Sequence, residues 1–501
     1  MVQGLLAAYQ QESSYQTIYL LLALLVVIRL WLVPLNCSFW LDESVTFWSI
    51  CKGIAAAIPR SQLWPGQNVV YMLLEATIYR TGGASEWILR LPSIVAAAAT
   101  AWVLFRLGTR LFDRETGMLA MLVFVSIDEV VRNAVNMRPY AIGLLLVTAS
   151  MLQLVRWLDT GRTRNLAGFV LLAAAVPYFQ LLFAVIYPVQ AAYAWSRSGF
   201  GCVIRKREVL IASLLIAILI APLAWNAVHA NRLSAESSWA RTPDPRDLVE
   251  AIVPPEFAIA IFATLLVGYL LFRKIGAQAP DGTPWQTALL ILGWMLVPMV
   301  LLFAVSELTS IQVFVPRYYF PAAAAQALVI AVGLRSIFPA RLRLLATIAI
   351  VLAAMFSLAG ADLSYFPHGE DWRGAAAAMR AAHLGDRTPV LVRVGLIETR
   401  KVTWDDNIDR DSPFLAPFVK YPVPGHLLLA PYQLDEASQR YLDDVSSRIL
   451  EPAQQFVLLT KKDQDYLKLW ALGRFTSRGF IATELARPEG ITLLLFRKMS
   501  H

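Results

Sequence analysis

The chain has 501 residues, 57% of them hydrophobic and only 16% charged, and a net charge of +8. A soluble domain averages about 25% charged residues, so this composition leans towards lipid; the positive excess sits in short loops, where it orients spans rather than binding nucleic acid. Three cysteines are too few for a disulfide framework, and no Cys/His spacing reads as zinc.

The N-terminus has no basic n-region and no small-residue cleavage site, so the first apolar run is expected to be retained. Apolar runs able to cross a hydrocarbon core of about 30 Å recur as far as residue 361 and then stop. The predicted spans are 17–36, 87–107, 118–131, 139–157, 166–178, 180–195, 209–227, 257–272, 287–305, 318–334 and 344–361, about eleven in all. The stretch 69–80 is too short to span and carries Glu75, and it reads as a helix lying along the membrane surface.

Lys and Arg in the loops give the orientation. One set of short connections holds Arg106, Arg110, Arg114, Arg156, Arg162, Arg164, Arg197, Arg205, Lys206, Arg207, Arg273, Lys274, Arg335, Arg341 and Arg343. The alternate connections are longer and sparser in basic residues, so the first set is cytoplasmic. Residues 37–86, 228–256, 306–317 and everything after 361 then face outward. The fold class expected is mainly α: a polytopic helical membrane domain over 1–361 and an outward α/β domain over 362–501. Strand-like runs at 389–393, 426–430, 455–459 and 491–496 alternate with helical stretches such as 371–383.

Few residues offer chemistry. The first outward loop opens with Asp42 and Glu43, flanked by Phe39, Trp40, Phe47 and Trp48. A carboxylate at an apolar interface is desolvated towards a proton acceptor's pKa, whereas the bland alternative is a solvated loop beside an aromatic belt. Arg29 lies inside the first span, within snorkelling reach of the outer interface. Arg138 and Tyr140 begin one later span, near Arg132 and the pair Asp128-Glu129; Arg317 and Tyr318 begin another. Arginine's planar fork suits phosphate oxygens and tyrosine adds a hydroxyl donor, while an interfacial Arg/Tyr girdle has the same composition. Cys37 and Cys51 both face outward, which leaves a disulfide between them open. No Gly-rich phosphate loop and no Ser-His-Asp or Cys-His arrangement stands out.

Five short motifs occur in an order that resembles the GT-C glycosyltransferases: Asp42-Glu43, Leu89-Arg-Leu-Pro-Ser93, Met137-Arg-Pro-Tyr-Ala-Ile142, Arg317-Tyr-Tyr-Phe-Pro321 and Gly369-Glu-Asp-Trp-Arg373. The nearest group is that of the aminoarabinose lipid A transferase, the protein O-mannosyltransferases and the Rgt-type sugar transferases. Many relatives carry His-Pro-Pro where this chain has Gln67-Asn68-Val69, and a histidine near its Val176-Pro-Tyr-Phe-Gln180. Those positions help shape acceptor or metal interactions in relatives and are not carried over. The resemblance implies an inner-membrane enzyme that moves a hexosyl or pentosyl group from a polyprenyl-phosphate donor to a lipid, glycan or protein acceptor on the periplasmic face, with inversion. It implies Asp42 as general base, Glu43 as an orienting group, and Arg138, Arg317, Tyr140, Tyr318 and Arg29 at the donor phosphate. No metal ligand is assigned, and a divalent cation stays open. The rival readings are a transporter or flippase, which would place ionisable groups near the midplane, and a catalytically inactive relative acting in envelope assembly.

Overall fold

The computed structural model describes residues 15–63, 69–199, 202–230, 241–253, 262, 266, 276–277, 284–359, 367–396, 399, 408–462 and 466–499. The first span, α1 (Tyr15–Asn36), winds as a π-helix over Val27–Leu32 and tightens to a 3-10 turn at Val33–Asn36. Two short helices follow, α2 (Leu41–Ile50) and α3 (Ile54–Gln62), then α4 (Val69–Gly82) and α5 (Glu86–Leu111). Helix α6 (Arg114–Ser126) is capped by the Asp113 carboxylate, which accepts the Thr116 N–H at 2.7 Å. The apolar run expected to span at 118–131 breaks: Ile127 turns extended, and α7 (Asp128–Ala134) starts afresh with Asp128 and Glu129 in its first turn. Helices α8 (Tyr140–Thr160), α9 (Thr163–Phe179), α10 (Tyr187–Ser196), α11 (Lys206–Ala230), α12 (Pro245–Ile252), α13 (Trp285–Leu308), α14 (Pro316–Tyr319), α15 (Ala322–Ser336) and α16 (Ala340–Ala359) complete the helical part.

Among the described residues five helices, α1, α5, α8, α13 and α16, are long and apolar enough to cross a bilayer, and α9, α10 and α15 are apolar but shorter. The protein is a multi-pass membrane protein. Most of the span predicted at 257–272 lies outside the described residues. The three cysteines are free thiols, so the structure contains no Cys37–Cys51 disulfide.

Contacts divide the chain into two compact units. The first comprises Met1–Leu35, Trp64–Tyr71 and Arg90–Tyr365. Small residues let its helices approach closely: a Cβ on Gly117 of α6 would stand 2.6 Å from the Phe105 carbonyl oxygen of α5. Basic residues of the arginine-rich connections are tied down by carboxylates. Asp159 takes Arg110 and Arg197, each at 2.9 Å, and Glu115 takes Arg343 at 2.9 Å and Arg335 at 3.3 Å.

The second unit comprises Asn36–Leu63, Met72–Leu89 and Phe366–His501. Compactness thus follows a different line from the end of the last span near residue 361. Helix α2 is only ten residues long and buries nearly all of them, so it folds as part of a core to which the C-terminal segment contributes. That segment supplies α17 (Trp372–Ala381), β1 (Pro389–Arg393), α18 (Ala416–Lys420), β2 (His426–Leu429), α19 (Glu436–Val445), β3 (Gln455–Lys461), α20 (Tyr466–Thr476), β4 (Phe480–Glu484) and β5 (Ile491–Lys498). The sheet order is β2-β1-β3-β5-β4. The first three strands are parallel, the last two pairings antiparallel. The parallel strands are buried on both faces, which explains their near-continuous apolar sequence. The four expected strands are present, and β4 is an additional one whose outward, polar positions hid it from an alternation count.

Phe456 of β3 stacks on its cross-strand partner Phe496 (4.6 Å, 2°) and meets Phe475 and Phe480. Phe456→Ala is expected to cost about 3–5 kcal/mol, as truncation of a buried aromatic does. Thermal unfolding of the full-length protein in detergent checks this.

Candidate active site

In the second unit, Asp42 and Glu43 form the first turn of α2 and separate sharply by environment. Glu43 is fully buried, and its Oε2 accepts the Trp40 N–H at 3.3 Å. Asp42 is part-exposed, and every other residue of α2 is buried. The flanking aromatics do not form a lipid belt. Phe39, Phe47 and Trp48 are buried in protein: Phe39 packs on Phe47 at 6.0 Å, and Phe47 meets the edge of Tyr79 at 5.8 Å. Trp40 stacks on His368 at 4.4 Å.

Residues from the C-terminal segment and from the start of α5 hold this helix. The Phe39 N–H donates to the Tyr421 hydroxyl oxygen at 2.8 Å, and the Tyr421 hydroxyl donates to Glu86 at 2.7 Å. Glu86 also pairs with Arg373 at 2.7 Å. Asp411 binds both ends of the next turn: its carbonyl accepts the Trp48 indole N–H at 2.6 Å, and its carboxylate pairs with Lys52 and, at 2.6 Å, with Arg60. Burial pulls the Asp411 carboxyl up, but hydrogen bonding and charge from Lys52 and Arg60 outweigh it and hold it below its ordinary 3.8. Burial raises the Cys51 thiol, so this cysteine is no activated nucleophile.

The arginines lie in the first unit and are positioned there by the resembled motifs. Arg90 donates to the Leu35 carbonyl at 2.9 Å, and Ser93 donates to the Asn136 carbonyl at 2.5 Å, fixing the turn that carries Arg138. Pro139 is the N-cap of α8. Arg138 lies over the ring of Tyr140 at 5.8 Å, and Arg317 over that of Tyr318 at 5.4 Å. Stacking of this kind keeps a guanidinium's edge open for hydrogen bonds. Arg29 falls in the π-helical part of α1, where an extra residue per turn redirects side chains. That π turn packs on α7, and α7 packs on α14 and α8. The π turn carrying Arg29, the short helix carrying Arg317 and the helix that Arg138 precedes therefore all pack on α7. Arg132 pairs with Asp128 at 2.7 Å, and Arg317 is an electrostatic neighbour of Glu129.

Sequence reasoning singled out Asp42 and the arginines as candidates and gave no part to Glu86, Asp411 or Tyr421. Glu86 stands beside a resembled motif and gave that much signal; Asp411 and Tyr421 gave none. Among the described residues no three His, Cys, Asp or Glu side chains converge as metal ligands. Gln67 and Asn68 lie outside the described residues.

Residues 68–225 match the family described as Dolichyl-phosphate-mannose-protein mannosyltransferase. Two crystal structures of ArnT from Cupriavidus metallidurans align with nearly the whole chain, covering 97% of it and 98% of ArnT, each at a TM-score of 0.54. The form bound to undecaprenyl phosphate is 11% identical and the apo form 12%. Among curated proteins no match is found. The fold is that of the GT-C glycosyltransferases, a helical membrane body with a small C-terminal sheet, as the order of the motifs implied.

The depressed Asp411 carboxyl contributes stability above its ordinary 3.8, and that contribution is lost as pH falls through the lower folded value. Asp411→Asn should therefore lower the melting temperature at neutral pH, and the gap to the unmodified protein should close as pH is taken below 3.8. Scanning fluorimetry across pH measures both curves.

Proposed function

We propose that this protein transfers a sugar, a hexosyl or pentosyl group, from a polyprenyl-phosphate donor to an acceptor hydroxyl or amine of the bacterial envelope. What chiefly supports the reading is the alignment over nearly the whole chain with a structure that holds undecaprenyl phosphate. It is joined by a local fact: Asp42 is the one part-exposed residue of an otherwise buried helix. The Lys/Arg distribution among loops supports an inner-membrane protein with its C-terminal α/β segment in the periplasm.

The reaction follows from the residues. Asp42 takes the proton of the acceptor O–H or N–H as the acceptor atom bonds to the anomeric carbon. The bond from that carbon to the phosphate oxygen breaks in the same step, which inverts the centre and requires no carboxylate nucleophile. Negative charge grows on the departing phosphate, and Arg138 and Arg317, with Arg29, stabilise it; Tyr140 and Tyr318 orient the two guanidinium groups. Glu43 holds the first turn of α2 instead of reacting, since it is fully buried and bonded to the Trp40 N–H.

The test is transfer of labelled sugar from polyprenyl phosphate by the purified protein in lipid, with acceptors identified by mass spectrometry of envelope glycolipids and glycoproteins from a deletion strain. Asp42→Asn, at equal protein level, should abolish transfer. Arg138→Gln and Arg317→Gln should each lower kcat roughly 10²–10³-fold, the effect of removing one donor from a developing anion. Full activity in Asp42→Asn would remove Asp42 from the mechanism.

A further inference from the structure

Glu370 is 2% exposed, and both of its carboxylate oxygens are committed. Oε2 accepts the Leu41 backbone N–H at 2.8 Å and the Trp372 indole N–H at 2.9 Å, while Oε1 pairs with the Lys461 ammonium at 2.8 Å. Its carbonyl oxygen accepts the Ser38 hydroxyl at 2.8 Å, and the Ser38 oxygen accepts the Trp372 N–H at 3.1 Å. The segment before α2 and the turn before α17 are therefore laced through one side chain. On its other side that turn is fixed to the sheet. Lys461 is the last residue of β3, and the Asp371 N–H donates to the Glu489 carbonyl at 2.9 Å. Gly490 sits so close that a Cβ there would lie 1.6 Å from the Gly369 carbonyl oxygen.

Folding alone does not call for such a group. A carboxylate taken out of water is costly, and an apolar side chain of similar volume often serves stability as well or better than a buried ion pair. What an apolar side chain cannot do is accept the N–H of Leu41, the residue immediately before Asp42. We infer that Glu370 is a positioning residue for sugar transfer: clamped by Lys461 at the end of β3, it holds the first turn of α2 and so sets the pose of Asp42. This inference rests on the role given to Asp42 above.

The test uses the full-length protein in detergent or lipid, with Glu370→Gln, Glu370→Leu and the double variant Glu370→Gln/Lys461→Met. Glu370→Leu should speed hydrogen exchange in the peptide spanning residues 38–46 and lower kcat roughly 10- to 100-fold, with the KM for the polyprenyl-phosphate donor unchanged. Glu370→Gln keeps one acceptor oxygen but turns its amide N–H groups towards the Lys461 ammonium, and should fall in between. Removing that ammonium in the double variant should bring kcat back towards the unmodified value, a rescue that general loss of packing would not produce. If Glu370→Leu does not fold, the comparison of Glu370→Gln with the double variant carries the test. A folded Glu370→Leu protein with unchanged exchange at 38–46 and unchanged kcat overturns the inference, as does a kcat loss that the double variant fails to relieve. Should Asp42→Asn abolish transfer while the Glu370 variants stay active, only this inference falls. Should the unmodified protein transfer nothing, the functional reading falls, and exchange at 38–46 still decides whether Glu370 anchors α2.

Discussion

The backbone N–H groups at the start of α2 have no helical carbonyl to bond, and they are buried or part-buried, where an unmade hydrogen bond costs about 1–3 kcal/mol. Three in succession are met by side chains. Phe39 donates to Tyr421, Trp40 to Glu43 and Leu41 to Glu370. Two of these acceptors are carboxylates, which the partial positive charge of a helix N-terminus favours. The next residue along is Asp42, whose side chain remains part-exposed. The local chemistry is therefore an arrangement of acidic groups with divided labour: buried carboxylates fix the backbone, and one carboxylate stays part-exposed.

That arrangement has an electrostatic cost, which the surrounding cations offset. Burial raises the Glu370 carboxyl, and the charge and hydrogen bond of Lys461 oppose it. Glu86 is covered by Tyr421, Arg373 and Lys420, and Lys420 itself lies over the rings of Phe39 and Phe47. Burial lowers the Lys420 ammonium, as expected of a cation among aromatic rings. A small unit that carries this many interior charges relies on the apolar sheet beneath for its stability, and the Phe456–Phe496 stack supplies part of it.

The helical unit meets the same demand by other means. Three of the places where its chain leaves regular α-helix lie beside residues singled out in the sequence: the π turn of α1 at Arg29, the break at Ile127 before Asp128, and the short α14 at Arg317. Irregular backbone in a membrane protein survives only where protein or polar groups satisfy it. The π turn and α14 both pack on α7, and Arg138 and Arg317 each lie over a tyrosine ring. In the arginine-rich connections Arg110, Arg197, Arg335 and Arg343 are ion-paired to nearby carboxylates, which gives them a structural role.

Hydrophobic periodicity and composition were enough to read a multi-pass membrane protein, the four main strands and the α/β character of the C-terminal segment. Lipid and buried sheet both demand long apolar runs, and such runs are visible residue by residue. The motifs around Asp42, Arg138 and Arg317 were legible too, because each occupies a few consecutive positions. Sequence did not reveal that α2 packs on α18, more than three hundred residues later, or that of the adjacent pair Glu43 is fully buried while Asp42 is part-exposed. It gave no sign that Glu86, Asp411 and Tyr421 support that helix. Those facts depend on which distant side chain reaches a given backbone N–H, a choice made by packing in three dimensions and carried by no local pattern.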